Sequence, residues 1–169
     1  MDDYGILKYL KVEDFLTLAA ASISLTALFY FNTGCYACGI ASLLLAAIID
    51  FFDGLIARNR NTTTDFGRNL DFLQDAITYC VAVAVLVHLT VNAWWIIYFI
   101  VLLISASLVR LARQQLVKDK EKYYVGLPVT FNLILPLMYV LGITEPTAYA
   151  GAMTILSLLM VSSAKIKFI

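Results

Sequence analysis

Residues 50–75 read DFFDGLIARNRNTTTDFGRNLDFLQD, and this stretch decides how the remainder of the chain is interpreted. It contains five aspartates and follows directly on the apolar run GIASLLLAAII at 39–49. A second apolar run, AITYCVAVAVLVHL at 76–89, begins where the stretch ends. The carboxylates therefore lie between two segments with the composition of lipid-soluble helices, and they need an explanation as a group.

The overall composition is that of an integral membrane protein. Of the 169 residues, 62% are hydrophobic and only 14% are charged, and the mean hydropathy of +0.84 exceeds that of ordinary soluble domains. A helix needs about 20 mostly apolar residues to cross the hydrocarbon core of a bilayer. The sequence predicts an all-α bundle of six such spans, at 14–31, 36–57, 70–89, 92–112, 125–142 and 147–164. Residues 1–169 are expected to form a single domain.

The basic residues predict the orientation of this bundle, because short cytoplasmic loops are enriched in Lys and Arg. All 12 lie before the first span, between the second and third, between the fourth and fifth, or after the sixth. The connections NTGC, LTVNA and GITEP contain none. We therefore expect a multi-pass protein of the plasma membrane with both termini and the aspartates on the cytoplasmic side, and no nucleic-acid partner.

Four of the aspartates fall into two pairs with helical spacing. Asp50 and Asp53 are three residues apart at the end of the second span, and Asp71 and Asp75 are four apart at the start of the third. Each pair shares a helical face, so two helices could bring the four carboxylates to one point. Their repulsion there would require cations, and a pair of Mg²⁺ ions suits oxygen ligands. The alternative is water-exposed aspartates, each paired with a neighbouring arginine: Arg58, Arg60 or Arg68.

Residues between the two pairs favour phosphate chemistry. Gly54 lacks a side chain and permits close approach of a helix or a nucleotide. Arg58 can hold phosphate through a planar fork of donors. Gly67 opens the next helix, near backbone N–H groups that are available to an anion. Together with the carboxylates, these residues predict a phosphoryl-transfer site.

The whole pattern, D-x2-D-G-x2-A-R-x8-G-x3-D-x3-D, resembles the signature of the CDP-alcohol phosphatidyltransferase family. Eight positions match: Asp50, Asp53, Gly54, Ala57, Arg58, Gly67, Asp71 and Asp75. The resemblance implies a homodimeric six-helix membrane enzyme that binds two divalent cations, Mg²⁺ or Mn²⁺. Such an enzyme transfers a phosphatidyl group from a CDP-linked lipid to an alcohol and releases CMP.

The resemblance also implies roles for individual residues. The four paired aspartates resemble the metal ligands, and Asp75 also resembles the general base. The positions that resemble the surroundings of the CDP group are Asp53, Gly54, Ala57, Arg58 and Gly67. Thr17 fits the last position of a P-N-x-x-T pattern found in relatives, which would place it near the cytosine. The alternative for this region is a polar helix start with Asp14 near the N-cap.

Two motifs in the second half of the chain resemble the phosphatidylserine synthase branch of the family. The sequence RLAR at 110–113 resembles the first part of R-L-A-R-F-N, and GLP at 126–128 resembles a later G-L-P. Gln114 and Gln115 stand where F-N is commoner, and AITYCVAVA after Asp75 lacks the branch's S-F-G-x-A-P. The expected acceptor is L-serine, and the expected donor is CDP-diacylglycerol or CDP-archaeol.

A basic acceptor pocket is compatible with more than one alcohol. Arg110 and Arg113 share a helical face and could hold the serine carboxylate by bidentate hydrogen bonds. They could equally be cytoplasmic anchors whose apolar stems lie along the helix. Glycerol 3-phosphate, inositol or inositol phosphate are the alternative acceptors, and charge alone does not separate them. A small membrane transporter is the non-enzyme alternative, although transporters usually bury carboxylates near the midplane.

Two other features carry structural expectations. Cys35 and Cys38 form a C-x-x-C with no second pair that would complete a zinc site. They are expected to be small helix-packing residues or a disulfide. Pro136 is expected to kink the fifth span.

Overall fold

A computed structural model describes residues 11–60, 64–116, 124–163 and 165–166, and helices make up nearly all of them. In chain order these are α1 (Val12–Asn32), α2 (Tyr36–Arg60), α3 (Asp65–Asp75), a π-helical segment (Ala76–Ala82), α4 (Val83–Thr90), α5 (Ile96–Leu116), a 3-10 segment (Val129–Leu133), α6 (Ile134–Val140) and α7 (Pro146–Val161). In this part of the chain the only strands are β1 (Tyr124–Val125) and β2 (Lys165–Ile166), which pair antiparallel. The expected all-α architecture therefore carries one short β-ribbon.

Six apolar helical segments correspond to the six predicted spans, but they differ in length. Within the described residues, three are long and apolar enough to cross a membrane: Asp14–Asn32, Asp65–Thr90 and Ile96–Gln115. Three are shorter: Tyr36–Phe52, Val129–Val140 and Pro146–Val161. The apolar part of α2 stops at Phe52 because Asp53 and Arg58 follow in the same helix. A membrane protein fits these lengths, and the number of spans stays a prediction.

The predicted fifth span, 125–142, begins too early. Val125 belongs to β1, and Gly126 adopts a positive φ of 78°. The helix starts after Pro128, which is extended (φ −62°, ψ 147°) and serves as its N-cap. The first five residues are 3-10 and the remainder is α-helical, so Pro136 lies in the first turn of α6. Because the 3-10 turns run directly into α6, Pro136 lies inside a continuous helix, where it has no N–H to donate to a carbonyl one turn back. The change of helix type lies just before it.

The cysteine motif lies at the start of α2, beside the turn of the α1–α2 hairpin. Cys35, which directly precedes α2, forms a disulfide with Cys38 in the first turn of this helix, which decides between the two expectations for this pair. Gly39 lies directly against the ring of Phe31, and a Cβ at this position would overlap the ring. Phe31 is buried as a result, and the two helices approach closely at this end of the hairpin.

The continuous helical segment Asp65–Thr90 forms the centre of the bundle. It contacts α1, α2, α5, α6 and the 3-10 segment. The side chains of Tyr79, Val83, Leu86 and Val87 are fully buried in the core. This central segment carries Asp71 and Asp75 at the end where α2 terminates. The position of the site therefore depends on how this one segment packs.

Candidate active site

Three carboxylates from two helices converge at one end of the bundle. Asp50 comes from α2, whereas Asp71 and Asp75 come from the last turns of α3. One oxygen of each lies within 4.8 Å of the others, and all three residues are half-buried. The helical spacing in the sequence predicts this face for Asp71 and Asp75, and the packing of α2 against the central segment adds Asp50.

The chemistry of this group fits a hard divalent cation. Three carboxylates so close together, half-buried beside apolar helices, repel each other unless a cation balances their charge. Carboxylate oxygens are the ligands that Mg²⁺ and Mn²⁺ prefer. The backbones of Asp53, Ala57 and Arg58 continue α2 next to the group. Their side chains lie outside the described part of the structure, so the predicted fourth carboxylate stays a prediction.

Asp50 is held by a tyrosine that the sequence motifs did not identify. The hydroxyl of Tyr79 donates a hydrogen bond to Oδ2 of Asp50 at 3.0 Å. Tyr79 follows Asp75 by four residues, and this spacing indicates in the sequence that the two side chains lie near the same helical face. The partner of its hydroxyl could not be inferred, because Asp50 lies 29 residues away on another helix.

Buried polar side chains surround the π-helical segment that carries Tyr79. Asn132 donates from Nδ2 to the main-chain carbonyl of Tyr79 at 2.9 Å and to Oγ of Ser107 at 3.1 Å. On the opposite side, Thr78 contacts Nε2 of Gln74 at 3.1 Å and Oγ of Ser24 at 2.6 Å. π-helical turns are rare and are frequent at functional sites. Here they are fixed by hydrogen bonds from three other segments.

The starts of α1 and α3 are in close contact. Asp14, which is 2% exposed, accepts a hydrogen bond from the amide of Lys11 at 2.8 Å. It is the third residue of α1, and Lys11 is the N-cap. A Cβ at Gly67 would lie 2.7 Å from Oδ1 of Asp14. Gly67 is thus required for the approach of α1, and Thr17 is buried one turn further along the same helix.

The amide of Gly67 has a partner within its own helix. Its N–H donates to Oγ1 of Thr64, the N-cap of α3, at 3.0 Å. The sequence suggested this part of the helix for anion binding. Because the Thr64 side chain already accepts from this amide, an anion at this end of α3 would have to use other donors.

A cleft between α3 and α5 is lined by two of the three aspartates, Asp71 and Asp75. Its described lining comes from α3 and α5: Arg68, Asp71, Phe72, Asp75, Leu111, Gln114 and Gln115. Gln114 and Gln115 are the two residues at which the sequence departs from R-L-A-R-F-N. The structure places both of them across the cleft from Asp75, which gives these departures a location in the site.

The two candidate acceptor arginines have different surroundings. Arg110, only 3% exposed, donates from Nη1 to Oε1 of Gln114 at 3.1 Å, which connects it to the cleft. Arg113 donates from Nη2 to the carbonyls of Met160 and Ser162 at 3.0 and 3.1 Å. These carbonyls belong to the end of α7, where a cation is favoured by the helix dipole. Both arginines therefore have partners within the chain, and their contact with an acceptor carboxylate stays a prediction.

The RLAR and GLP motifs contact each other. Nε of Arg110 donates to the carbonyl of Leu127 at 3.2 Å, and the amide of Leu127 donates to the carbonyl of Leu159 at 3.1 Å. A Cβ at Gly126 would lie 2.5 Å from Nη2 of Arg113. Because of this contact and its positive φ, the position requires glycine. The GLP loop is therefore packed between the ends of α5 and α7.

Comparisons with known proteins agree with the resemblance. The model of the CDP-alcohol phosphatidyltransferase family matches residues 11–163. An archaetidylserine synthase from Methanothermobacter thermautotrophicus is 28% identical over 168 residues, which cover 96% of this chain and 72% of that protein. A CDP-diacylglycerol--serine O-phosphatidyltransferase from Bacillus subtilis is 33% identical over 129 residues, 71% of this chain and 68% of that one. One of the same name from Methanocaldococcus jannaschii is 24% identical, covering 96% and 76%.

Proposed function

The chain belongs to the CDP-alcohol phosphatidyltransferase family, and we propose that it transfers the phosphatidyl or archaetidyl group of a CDP-lipid to the hydroxyl of L-serine. CMP is the second product, and the reaction is a step of phospholipid biosynthesis. Relatives named for serine transfer match across most of this chain and over two thirds of their own length. The observation that carries the proposal is the convergence of Asp50, Asp71 and Asp75 beside one cleft.

Divalent cations belong to this chemistry, since the family is metal-dependent. Asp50, Asp71 and Asp75, together with Asp53, would hold two ions, Mg²⁺ or Mn²⁺. Bound there, such ions neutralise the diphosphate and the developing charge on CMP. The residues of the signature between the aspartates surround the CDP group in this proposal: Gly54, Ala57, Arg58 and Gly67, with Thr17 from α1.

Asp75 is the general base of the transfer. Its carboxylate accepts the proton of the serine hydroxyl, and the serine oxygen attacks the phosphorus that bears the lipid. The bond between this phosphorus and the CMP oxygen breaks, and CMP leaves with the bonding electrons. Asp75 lines the cleft that leads to α5, so the acceptor hydroxyl and the base can meet there.

Gln114 is the side chain best placed to recognise the acceptor. Its Oε1 accepts from Arg110, so the amide nitrogen supplies the donors for a serine carboxylate. Arg110 acts through Gln114, and Arg113 acts through the GLP loop. Among the described lining residues the basic side chain is Arg68, which is bonded to Asp65 at 2.7 Å. This charge pattern suits zwitterionic serine better than a doubly charged phosphate such as glycerol 3-phosphate.

The site lies at the cytoplasmic face of the plasma membrane in this proposal, with six spans, both termini cytoplasmic, one domain over residues 1–169, and a homodimeric assembly. Contacts between helix ends support one common face. The start of α1 touches the start of α3 through Asp14 and Gly67, and Arg113 reaches the end of α7. The segments that carry the basic residues therefore meet at the same end of the bundle as the aspartates.

CMP release tests the proposal. The purified protein in detergent is supplied with Mn²⁺ and either CDP-diacylglycerol or CDP-archaeol, and serine is compared with glycerol 3-phosphate, inositol and inositol phosphate. We expect CMP only with serine, and none after chelation of the metal. Release with another alcohol would refute the acceptor, and no release with any alcohol would refute the enzyme.

A further inference from the structure

The hydrogen bond between Tyr79 and Asp50 connects the two helices that form the carboxylate cluster. Asp50 belongs to α2, whereas Tyr79 lies on the central segment that also carries Asp71 and Asp75. The tyrosine is 1% exposed, so its ring is enclosed by the core and its hydroxyl has a fixed position. The 3.0 Å contact therefore fixes the Asp50 carboxylate relative to the other two.

The backbone that carries Tyr79 is itself anchored from outside its helix. It belongs to the π-helical segment, and its carbonyl accepts a hydrogen bond from Asn132 at 2.9 Å. Asn132 is fully buried and also donates to Oγ of Ser107 on α5. A buried side-chain amide such as that of Asn132 has few alternative hydrogen-bond partners, so the positions of its donors are well determined. The direction of the tyrosine hydroxyl follows from this anchoring.

A carboxylate that ligates a cation is sensitive to the partner of its second oxygen. A hydrogen bond to one oxygen restricts the rotation of the group and orients the other oxygen. We propose that Tyr79 is a positioning residue for Asp50, a role that rests on the metal site of the proposed function. The hydroxyl holds the carboxylate in the orientation in which it binds the divalent cation together with Asp71 and Asp75.

A purely structural tyrosine makes a different prediction. If the buried hydroxyl of Tyr79 used Asp50 only as a hydrogen-bond partner, its removal would change the free energy of unfolding and leave the affinity for the cation unchanged. Tyr149 provides the matched control, because it is also 1% exposed and its hydroxyl donates to the main-chain carbonyl of Leu135 at 3.2 Å. Removal of that hydroxyl takes away a buried hydrogen bond between α7 and α6, outside the carboxylate cluster.

The test is the dissociation constant for Mn²⁺, measured by electron paramagnetic resonance on purified protein in detergent without substrate. The variants are Tyr79→Phe, Tyr149→Phe, Asp50→Asn and the double variant Tyr79→Phe with Asp50→Asn. Loss of an outer-shell partner typically weakens metal binding by about 10- to 100-fold. We therefore expect Tyr79→Phe to raise the dissociation constant about tenfold and Tyr149→Phe to leave it unchanged. In the Asp50→Asn background, Tyr79→Phe should add no further loss.

The outcomes separate the inference from the function on which it rests. If Asp50→Asn leaves Mn²⁺ binding unchanged, the metal site itself is wrong. If Asp50→Asn weakens binding and Tyr79→Phe does not, the positioning role alone is overturned. An equal effect of Tyr79→Phe with and without the Asp50 carboxylate would also overturn it. Asn132→Ser removes the hydrogen bond to the Tyr79 carbonyl and leaves the tyrosine ring unaltered. Unchanged Mn²⁺ binding in folded Tyr79→Phe and folded Asn132→Ser would leave the Tyr79 hydroxyl a structural role only.

Discussion

The side chain of Arg110 donates from Nε to the main-chain carbonyl of Leu127 at 3.2 Å, across 17 residues of sequence. The same guanidinium donates from Nη1 to Oε1 of Gln114, which lines the cleft beside Asp75. One side chain therefore connects the GLP loop to the proposed acceptor pocket. Two motifs that resemble one branch of the family are, in the folded chain, parts of one contact.

Gln114→Ala should raise the KM for serine by about tenfold or more, because a hydrogen bond to a charged group contributes about 1.5–3 kcal/mol. The KM for the CDP-lipid should change little, since the CDP group lies among residues of α2 and α3 in the proposed complex. Arg110→Ala should act in the same direction and also lower the melting temperature, because the carbonyl of Leu127 loses its donor. An unchanged serine KM in both variants would remove α5 from the acceptor pocket.

Arg113→Ala should destabilise the protein without a selective effect on serine. Its guanidinium contacts the half-buried carbonyls at the end of α7, and a hydrogen bond from a charged donor contributes about 1.5–3 kcal/mol. The readout is the melting temperature in detergent, followed by the serine KM of the folded fraction. A large rise in that KM at unchanged stability would return Arg113 to the acceptor site.

Asp75→Asn should abolish turnover in a folded protein. Loss of a general base typically lowers rates by about 10²- to 10⁴-fold, and this residue also belongs to the proposed metal ligands. The measurement is CMP release at saturating serine and CDP-lipid, with gel filtration as the control for folding. Substantial activity in the folded variant would exclude Asp75 as the base.

Gly67→Ala should separate α1 from α3. The new Cβ would lie 2.7 Å from Oδ1 of Asp14, and such overpacking costs about 1–3 kcal/mol. Gly151→Ala in α7 is the control, because a Cβ there meets no atom of the described structure within 4 Å. We expect a lower melting temperature for Gly67→Ala and an unchanged or higher one for Gly151→Ala. Equal stability of the two variants would contradict the close contact of the two helix starts.

The Cys35–Cys38 disulfide should be detectable by mass spectrometry of the alkylated protein. Without reduction neither cysteine should react, and after reduction both should, whereas Cys80 is buried and should stay unmodified until the protein unfolds. Replacement of both by Ser should lower stability only slightly, because a short loop restricts the unfolded chain little. Alkylation of Cys35 and Cys38 in the unreduced protein would contradict the bond.

The sequence alone determined the family, the apolar helical segments and the shared face of Asp71 and Asp75. Apolar length and the positions of charge are local properties, so the helices could be located before any contact was known. The spacing of Asp71 and Asp75 places them on one face for the same reason. The family prediction is confirmed by the match over residues 11–163, and serine transfer agrees with the names of the relatives.

Only the tertiary structure decided which side chain meets which partner. Arg113 and Arg110 have the same chemistry and share a helical face, yet one is bonded to α7 and the other to Gln114 and Leu127. The start of the predicted fifth span depended on a β-ribbon and on Gly126, which has a positive φ. Tyr79 reaches Asp50 across 29 residues. Such contacts depend on how distant helices pack, and the periodicity within a single helix contains no information about its neighbours.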